Sequence, residues 1–262
     1  MEGDVVKAES PRRVWVPETK IESKMLDAMK QRGAAGCSLR SFNSILLKFP
    51  KIDNSLKKCK AIFEQFDLDS NGTIDHEELR KCFNKLEISF TEEEINDLFA
   101  ACDINDDYGM NFHEFIVLLC LVYLLKAAAV AADPNKPKMG MPNLEGAFET
   151  LVDAFVFFDK NMDGYVSKNE LIQAIQDSGE RAAGRIALKR FGNSLPPSLH
   201  MLEASSECGF ELLLTLNMIM AEEMDWDKNG MVNIKEFLFA FTKWVGIDDD
   251  DDEDDDNAKD DE

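Results

Sequence analysis

A twelve-residue pattern, D-x-[DN]-x-[DN]-G-x5-E, stands complete at 67–78 (DLDSNGTIDHEE), 159–170 (DKNMDGYVSKNE) and 225–236 (DWDKNGMVNIKE), and with one departure at 103–114 (DINDDYGMNFHE). A single acidic stretch of this kind is ordinarily a solvated turn. Four in one chain, each set between apolar residues at helical spacing, form a repeat. Leu56, Cys59, Ile62, Phe63 and Phe66 lead into the first, and Phe115, Leu118, Leu119 and Val122 lead out of the second. The sixth position of the pattern is glycine, which reaches positive φ without steric cost. Gly72, Gly164 and Gly230 supply it in the complete copies, whereas the second copy has Tyr108 there and Gly109 one residue later.

The net charge of −22 is unevenly spread over the 262 residues: 1–60 carry 13 Lys/Arg against 7 Asp/Glu, and 248–262 carry 12 acids against one lysine. A folded middle this acidic argues against nucleic acid as a partner, because phosphate binding needs a basic stripe, and points to cations instead. Cys37, Cys59, Cys82, Cys102, Cys120 and Cys208 show neither a CxxC pair nor a histidine at zinc spacing. With no apolar signal segment at the start, reduced thiols in a cytosolic or nuclear compartment are expected. The longest apolar run, Phe115 to Leu125, is 11 residues, too short to span a bilayer, so no transmembrane segment is expected. Neither a P-loop, a dinucleotide glycine motif nor a nucleophile elbow is present. The three histidines, His76, His113 and His200, are scattered, the first two inside the acidic loops as solvated side chains. An enzyme is not expected.

The repeat resembles the calcium loops of the EF-hand family over roughly residues 56–246, apart from one segment described below. Calcium is a hard cation taking six to eight oxygens, which a loop of this kind supplies from positions 1, 3, 5, 7 (a backbone carbonyl), 9 and a bidentate glutamate at 12. The resemblance places these on Asp67, Asp69, Asn71, the Thr73 carbonyl, Asp75 and Glu78 in the first loop, and on Asp103, Asn105, Asp107, the Gly109 carbonyl, Asn111 and Glu114 in the second. In the third they fall on Asp159, Asn161, Asp163, the Tyr165 carbonyl, Ser167 and Glu170, and in the fourth on Asp225, Asp227, Asn229, the Met231 carbonyl, Asn233 and Glu236. Three strong sites and a weaker one at 103–114 are expected, because a bulky residue at positive φ costs on the order of 1–2 kcal/mol. Position 8 is apolar throughout (Ile74, Met110, Val166, Val232), which in the family joins neighbouring loops through a short two-stranded bridge. The implied fold is all-α: two EF-hand lobes of paired helix-loop-helix units.

The expected organisation is an N-terminal extension with amphipathic helices over 1–55, lobe 1 over 56–125, a linker at 126–143, lobe 2 over 144–246 and a disordered acidic tail at 247–262. The first and second loops start 36 residues apart, the third and fourth 66. Phe63, Phe99 and Phe155 precede their loops by four residues, but the fourth loop has Ala221 there. Removing 192–221 restores both the spacing and a phenylalanine, Phe191, directly before Glu222. The expectation is therefore an insertion into an otherwise regular helix, an alternatively spliced or retained segment of the gene. A genuine loop followed by the replacement helix LLLTLNMIMAEEM is the alternative, and native tryptic peptides from 192–221 at normal abundance would decide for it.

The strings WVPETK at 15–20, LLCLVYLLK at 118–126 and FTKWVGID at 241–248, followed by the acidic tail, resemble a plant calmodulin-like subgroup with an N-terminal extension. Some of its members look like N-myristoylation candidates, with glycine directly after the initiator methionine; Glu2 stands there in this chain, so that anchor is not expected. The resemblance implies a calcium sensor that binds a target protein or amphipathic target helix through apolar grooves around Phe63, Phe66, Leu79, Phe99 and Phe115, and around Phe155, Phe158, Leu171, Phe237 and Phe241. A calcium buffer, or a regulatory subunit of a kinase or phosphatase, are the alternatives. The N-terminal helices either pack on the lobes or occupy a groove as a built-in target.

Overall fold

The computed structural model describes residues 15–36, 39, 44–45, 48–129, 138–176 and 221–244. Helix α1 spans Lys20–Ala35. It begins where the Thr19 hydroxyl accepts the Glu22 amide and ends at Gly36, whose φ of 90° breaks the helical path. Ile21, Met25, Leu26, Ala28 and Met29 recur at helical spacing and are all buried, so α1 has one apolar stripe and one charged face. Helix α2 (Phe49–Phe66) enters the first loop and α3 (His76–Lys85) leaves it; α4 (Glu92–Cys102) enters the second and α5 (Phe112–Ala129) leaves it. Helices α6 (Pro142–Phe158) and α7 (Lys168–Gln176) flank the third loop. Residues 221–224 are helical ahead of the fourth, and α8 (Ile234–Trp244) follows it.

The loops meet in pairs. Ile74 and Met110 form an antiparallel bridge, each amide donating to the other's carbonyl at 2.8 and 3.0 Å. Strands β1 (Tyr165–Ser167) and β2 (Met231–Asn233) pair antiparallel with Val166 opposite Val232. All four are the eighth residues of their loops.

Helix α5 organises the core. Every residue from Phe115 to Leu125 is buried, and a helix apolar on all sides must be covered on all sides. Helices α1, α2, α4, α6 and α8 cover it. Since α6 packs on α5, α2 on α6 and α8 on α5, the two loop pairs share one apolar core. Helical order continues from Phe115 through Ala129, and α6 starts at Pro142.

Helix α1 lies across both halves, on α4, α5 and α6. Its attachments differ in kind. Lys20 and Lys24 pair with Glu93 and Glu94 of α4 at the surface, whereas Arg32 reaches the buried Asp153 of α6, bonds Glu149 at 3.2 Å and lies over the Tyr123 ring. Glu22 pairs with Lys235 of α8 at 3.4 Å.

Cys59, Cys82, Cys102 and Cys120 are free and buried; burial pushes the first three thiols up to about 12 and Cys120 well above its usual value. They are inert as nucleophiles at neutral pH. Among the described residues no helix is long and apolar enough to cross a membrane. Residues 192–220, the acidic tail and positions 1–14 lie outside the described residues, as do the expectations placed on them; Ala221, the last residue of the expected insertion, is described and buried.

Candidate metal centres

One hydrogen-bond network recurs in all four loops, and it is built from the residues that the sequence singles out. The position-1 aspartate accepts the amides of positions 5 and 6. Asp67 takes Asn71 (3.1 Å) and Gly72 (2.9 Å), and Asp103 takes Asp107 (3.1 Å) and Tyr108 (3.0 Å). Asp159 likewise takes Asp163 (3.1 Å) and Gly164 (3.0 Å), and Asp225 takes Asn229 (3.0 Å) and Gly230 (2.8 Å). The position-12 glutamate is the third residue of the exiting helix and caps it reciprocally with position 9. Glu78 accepts the Asp75 amide at 3.0 Å while the Asp75 carboxylate accepts the Glu78 amide at 2.8 Å. Asn111 with Glu114, Ser167 with Glu170 and Asn233 with Glu236 repeat the arrangement. The glutamate's other oxygen reaches back to the amide of position 2, Leu68 at 2.7 Å in the first loop and Ile104 at 3.0 Å in the second. It does the same with Lys160 and Trp226 in the other two.

These amides orient the carboxylates without consuming their remaining lone pairs. In the first loop Asp67, Asp69 and Glu78 bring carboxylate oxygens within 4.8 Å of one another, and in the fourth Asp225, Asp227 and Glu236 do the same. A cluster of oxygen-only donors from three parts of one loop fits a hard divalent cation of calcium's size. In the second and third loops position 3 is Asn105 and Asn161, whose amides donate to Asp107 and Asp163 at 2.9 and 2.8 Å. The ligand set there carries one carboxylate fewer than in the first loop, where Asp75 adds a fourth acid at position 9.

Burial costs the charged form of some of these acids. Asp159 is pushed up to about 6, mainly by burial, with the Asp163 and Glu170 carboxylates adding to the effect and the Gly164 and Asp163 amides opposing it. Burial also raises Glu114 and Glu236. The sign follows: a raised carboxyl favours the fold of the calcium-free protein at low pH, and that contribution is lost as pH rises from the ordinary 3.8 through about 6. Calcium needs the ionised carboxylate, so protons compete with it below about 6. On Asp159 alone, third-loop affinity at pH 5 is expected to be about tenfold lower than at pH 7, measured by competition with a chelator of known pH dependence.

Tyr108 adopts the conformation asked of a glycine, at φ 63°, and is 84% exposed. The second loop thus keeps its network at the cost of backbone strain. The displaced glycine has its own use: a Cβ on Gly109 would lie 3.0 Å from the Thr73 side chain across the loop pair. Tyr108→Gly is expected to raise second-loop affinity by roughly three- to tenfold, seen in calorimetry as tighter binding of one ion.

Two histidines depart from the solvated placement expected of them. His76 is half-buried beside Asn96, with its ring 5.6 Å from that of Phe99. His113 binds the Thr242 hydroxyl of α8 at 3.1 Å and lies against Phe239, joining the second loop to the other half of the molecule. Their positions inside the acidic loops gave no sign of these partners. Sequence reading also missed Trp15, which opens the WVPETK string and touches the third loop.

Four twelve-residue loops between helices, bridged in pairs at their eighth residues, define a double pair of EF-hands, a class of calcium-binding protein. Residues 56–119 match the family model of the EF-hand domain pair, and 151–175 that of the EF hand. The chain is 57% identical over 249 residues to probable calcium-binding protein CML21 of Arabidopsis thaliana, covering 95% of this chain and 94% of that protein. Probable calcium-binding protein CML22 of the same plant is 34% identical over 247 residues, covering 93% and 94%. Calcium-dependent protein kinase 9 of Arabidopsis thaliana is 29% identical over 162 residues, which are 61% of this chain but only 26% of the kinase. The chain belongs to the calmodulin-like EF-hand proteins and binds calcium.

Proposed function

We propose that the protein is a non-enzymatic calcium sensor with four sites, held by the residues identified above, three strong and the one at 103–114 weaker. On filling, its first lobe opens to receive an amphipathic helix of a target protein in the cytosol or nucleus. The observation that carries this reading is the uneven anchoring of the four helices around the first two loops. Helices α2 and α5 are packed into the second half of the molecule, on α6 and on α1, α6 and α8 respectively. Helices α3 and α4 pack on α2, α5 and each other, and α4 also touches α1, to which it is tied by two surface ion pairs of the kind worth about 0–1 kcal/mol each. Calcium tying Glu78 and Glu114 to the other ligands of their loops can therefore swing α3 and α4 as a unit, as in sensor hands. That motion would uncover Phe63, Phe66, Leu79, Phe83, Phe99 and Phe115, all buried in this structure.

Calcium titration by calorimetry, with an apolar dye followed in parallel, tests the reading. Binding of three or four ions at micromolar affinity with dye uptake is expected. Filled sites without dye uptake would make the protein a buffer, and an absence of binding would overturn the calcium assignment itself.

A further inference from the structure

The position-6 residues of the four loops have unlike surroundings. A Cβ built on Gly72 or on Gly230 would meet nothing within 4 Å, and Tyr108 is exposed. Gly164 of the third loop is enclosed: a Cβ there would stand 3.0 Å from Leu26 Cδ1 and 3.0 Å from both Cβ and Cε3 of Trp15. The residue before it, Asp163, accepts the Trp15 amide through its carbonyl at 3.0 Å. The residue before that, Met162, lays its side chain over Gly33 of α1, where a Cβ would lie 2.7 Å from Met162 Cε. Three consecutive residues at the tip of one calcium loop are thus held by a segment that lies outside every EF-hand. Trp15 and Leu26 are buried to 8% and 7% exposure in doing so.

We infer that Trp15, Leu26 and Gly33 are positioning residues for calcium at the third loop, and that ion binding there and docking of the N-terminal segment reinforce each other. The two left-handed residues of the turn, Met162 at φ 56° and Gly164 at φ 89°, flank Asp163. Inside the loop, Asp159 and Asn161 accept the Asp163 amide at 3.1 and 2.9 Å. Outside it, the N-terminal segment holds the same peptide unit by its carbonyl and packs both left-handed residues. A loop fixed from both sides has less chain entropy to lose when the ion enters. By linkage, an ion that fixes the loop must favour the docked segment by the same factor. The other three loops lack this outer support among the described residues, so the effect originates at one site of four and reaches the fourth loop only through the β1–β2 pairing.

The inference rests on the calcium reading of the third loop, and the test separates the two. In the full-length protein, calcium is titrated while the Gly164 and Gly72 amides, which mark the third and first loops, are followed by NMR. Trp15→Ala is expected to weaken third-loop binding about fivefold or more, to leave the first loop unchanged, and to be largely rescued in Trp15→Phe. Met162→Ala, at a residue 38% exposed and therefore safe for folding, is expected to shift the same site in the same direction by less. In the wild-type protein, hydrogen exchange at the Trp15 amide should slow when the third loop fills. Unchanged third-loop affinity in Trp15→Ala and Met162→Ala, with Trp15 exchange indifferent to calcium, would overturn the inference while leaving the calcium assignment intact. A wild-type third loop that takes no calcium would overturn both.

Discussion

Glu78→Gln is expected to remove one strongly bound calcium ion, lowering first-loop affinity by about 100-fold or more. The glutamate is 5% exposed, and each of its oxygens has a fixed amide partner: Leu68 at 2.7 Å on one side and Asp75 at 3.0 Å on the other. Both oxygens are thereby aimed into the loop beside Asp67 and Asp69. Glutamine preserves the length and shape but carries one oxygen and no charge, so it cannot bind the ion bidentately, and one of the two amides must face its NH2 group. The calcium-free protein should lose only about 1 kcal/mol of stability from that mismatch. Calorimetry reads the affinity and urea unfolding in chelator reads the stability. An unchanged ion count at unchanged affinity would remove Glu78 from the ligand set. The second loop should weaken with the first, because Ile74 and Met110 tie their backbones together.

Arg32→Ala should cost about 3–5 kcal/mol of stability, the usual consequence of removing one partner from a buried ion pair. The Asp153 side chain is 3% exposed and the Arg32 side chain 17%, and Arg32 also bonds Glu149 and lies over Tyr123. Truncation leaves the Asp153 carboxylate buried without its guanidinium and takes away the strongest link between α1 and α6. Lys20→Ala is the control, since its pair with Glu93 is exposed on both sides and should matter by less than about 1 kcal/mol. Urea unfolding with a shared slope distinguishes the two. Replacing both members with apolar residues, Arg32→Met with Asp153→Leu, should recover most of the loss. A cost under 1 kcal/mol for Arg32→Ala would mean that this contact does not anchor α1.

What could be read from the sequence was what is local. A calcium loop is written in twelve consecutive residues, so the position-1 aspartates, the position-12 glutamates, the bridging residues Ile74, Met110, Val166 and Val232, and the left-handed turn at Tyr108 all stand where the pattern puts them. The helix starts were legible for the same reason, because each loop's ninth and twelfth residues are also a capping box. Contacts between distant segments were not. The apolar faces of α1, α2, α5, α6 and α8 announce that each helix must be covered, but periodicity does not say by which other helix. Reading the chain as lobes joined by a linker therefore gave no hint that α5 and α6 pack together or that His113 meets Thr242. The contact of Trp15 with Asp163 spans nearly 150 residues, and only the WVPETK string marked the place.

The bridges between loops have a consequence for the shape of the response. In the first pair one residue from each loop takes part, and in the second pair three do, Tyr165–Ser167 against Met231–Asn233. In both, the shared hydrogen bonds run through the middle of each ligand set. An ion settling on one side fixes part of the backbone that its neighbour must otherwise order alone, so the second arrival is easier than the first. Each pair is then expected to fill cooperatively, with a Hill coefficient between 1 and 2, and more steeply for the pair with the longer ladder. A modest rise in calcium would be turned into a threshold, and the two halves of one molecule would switch with different sharpness.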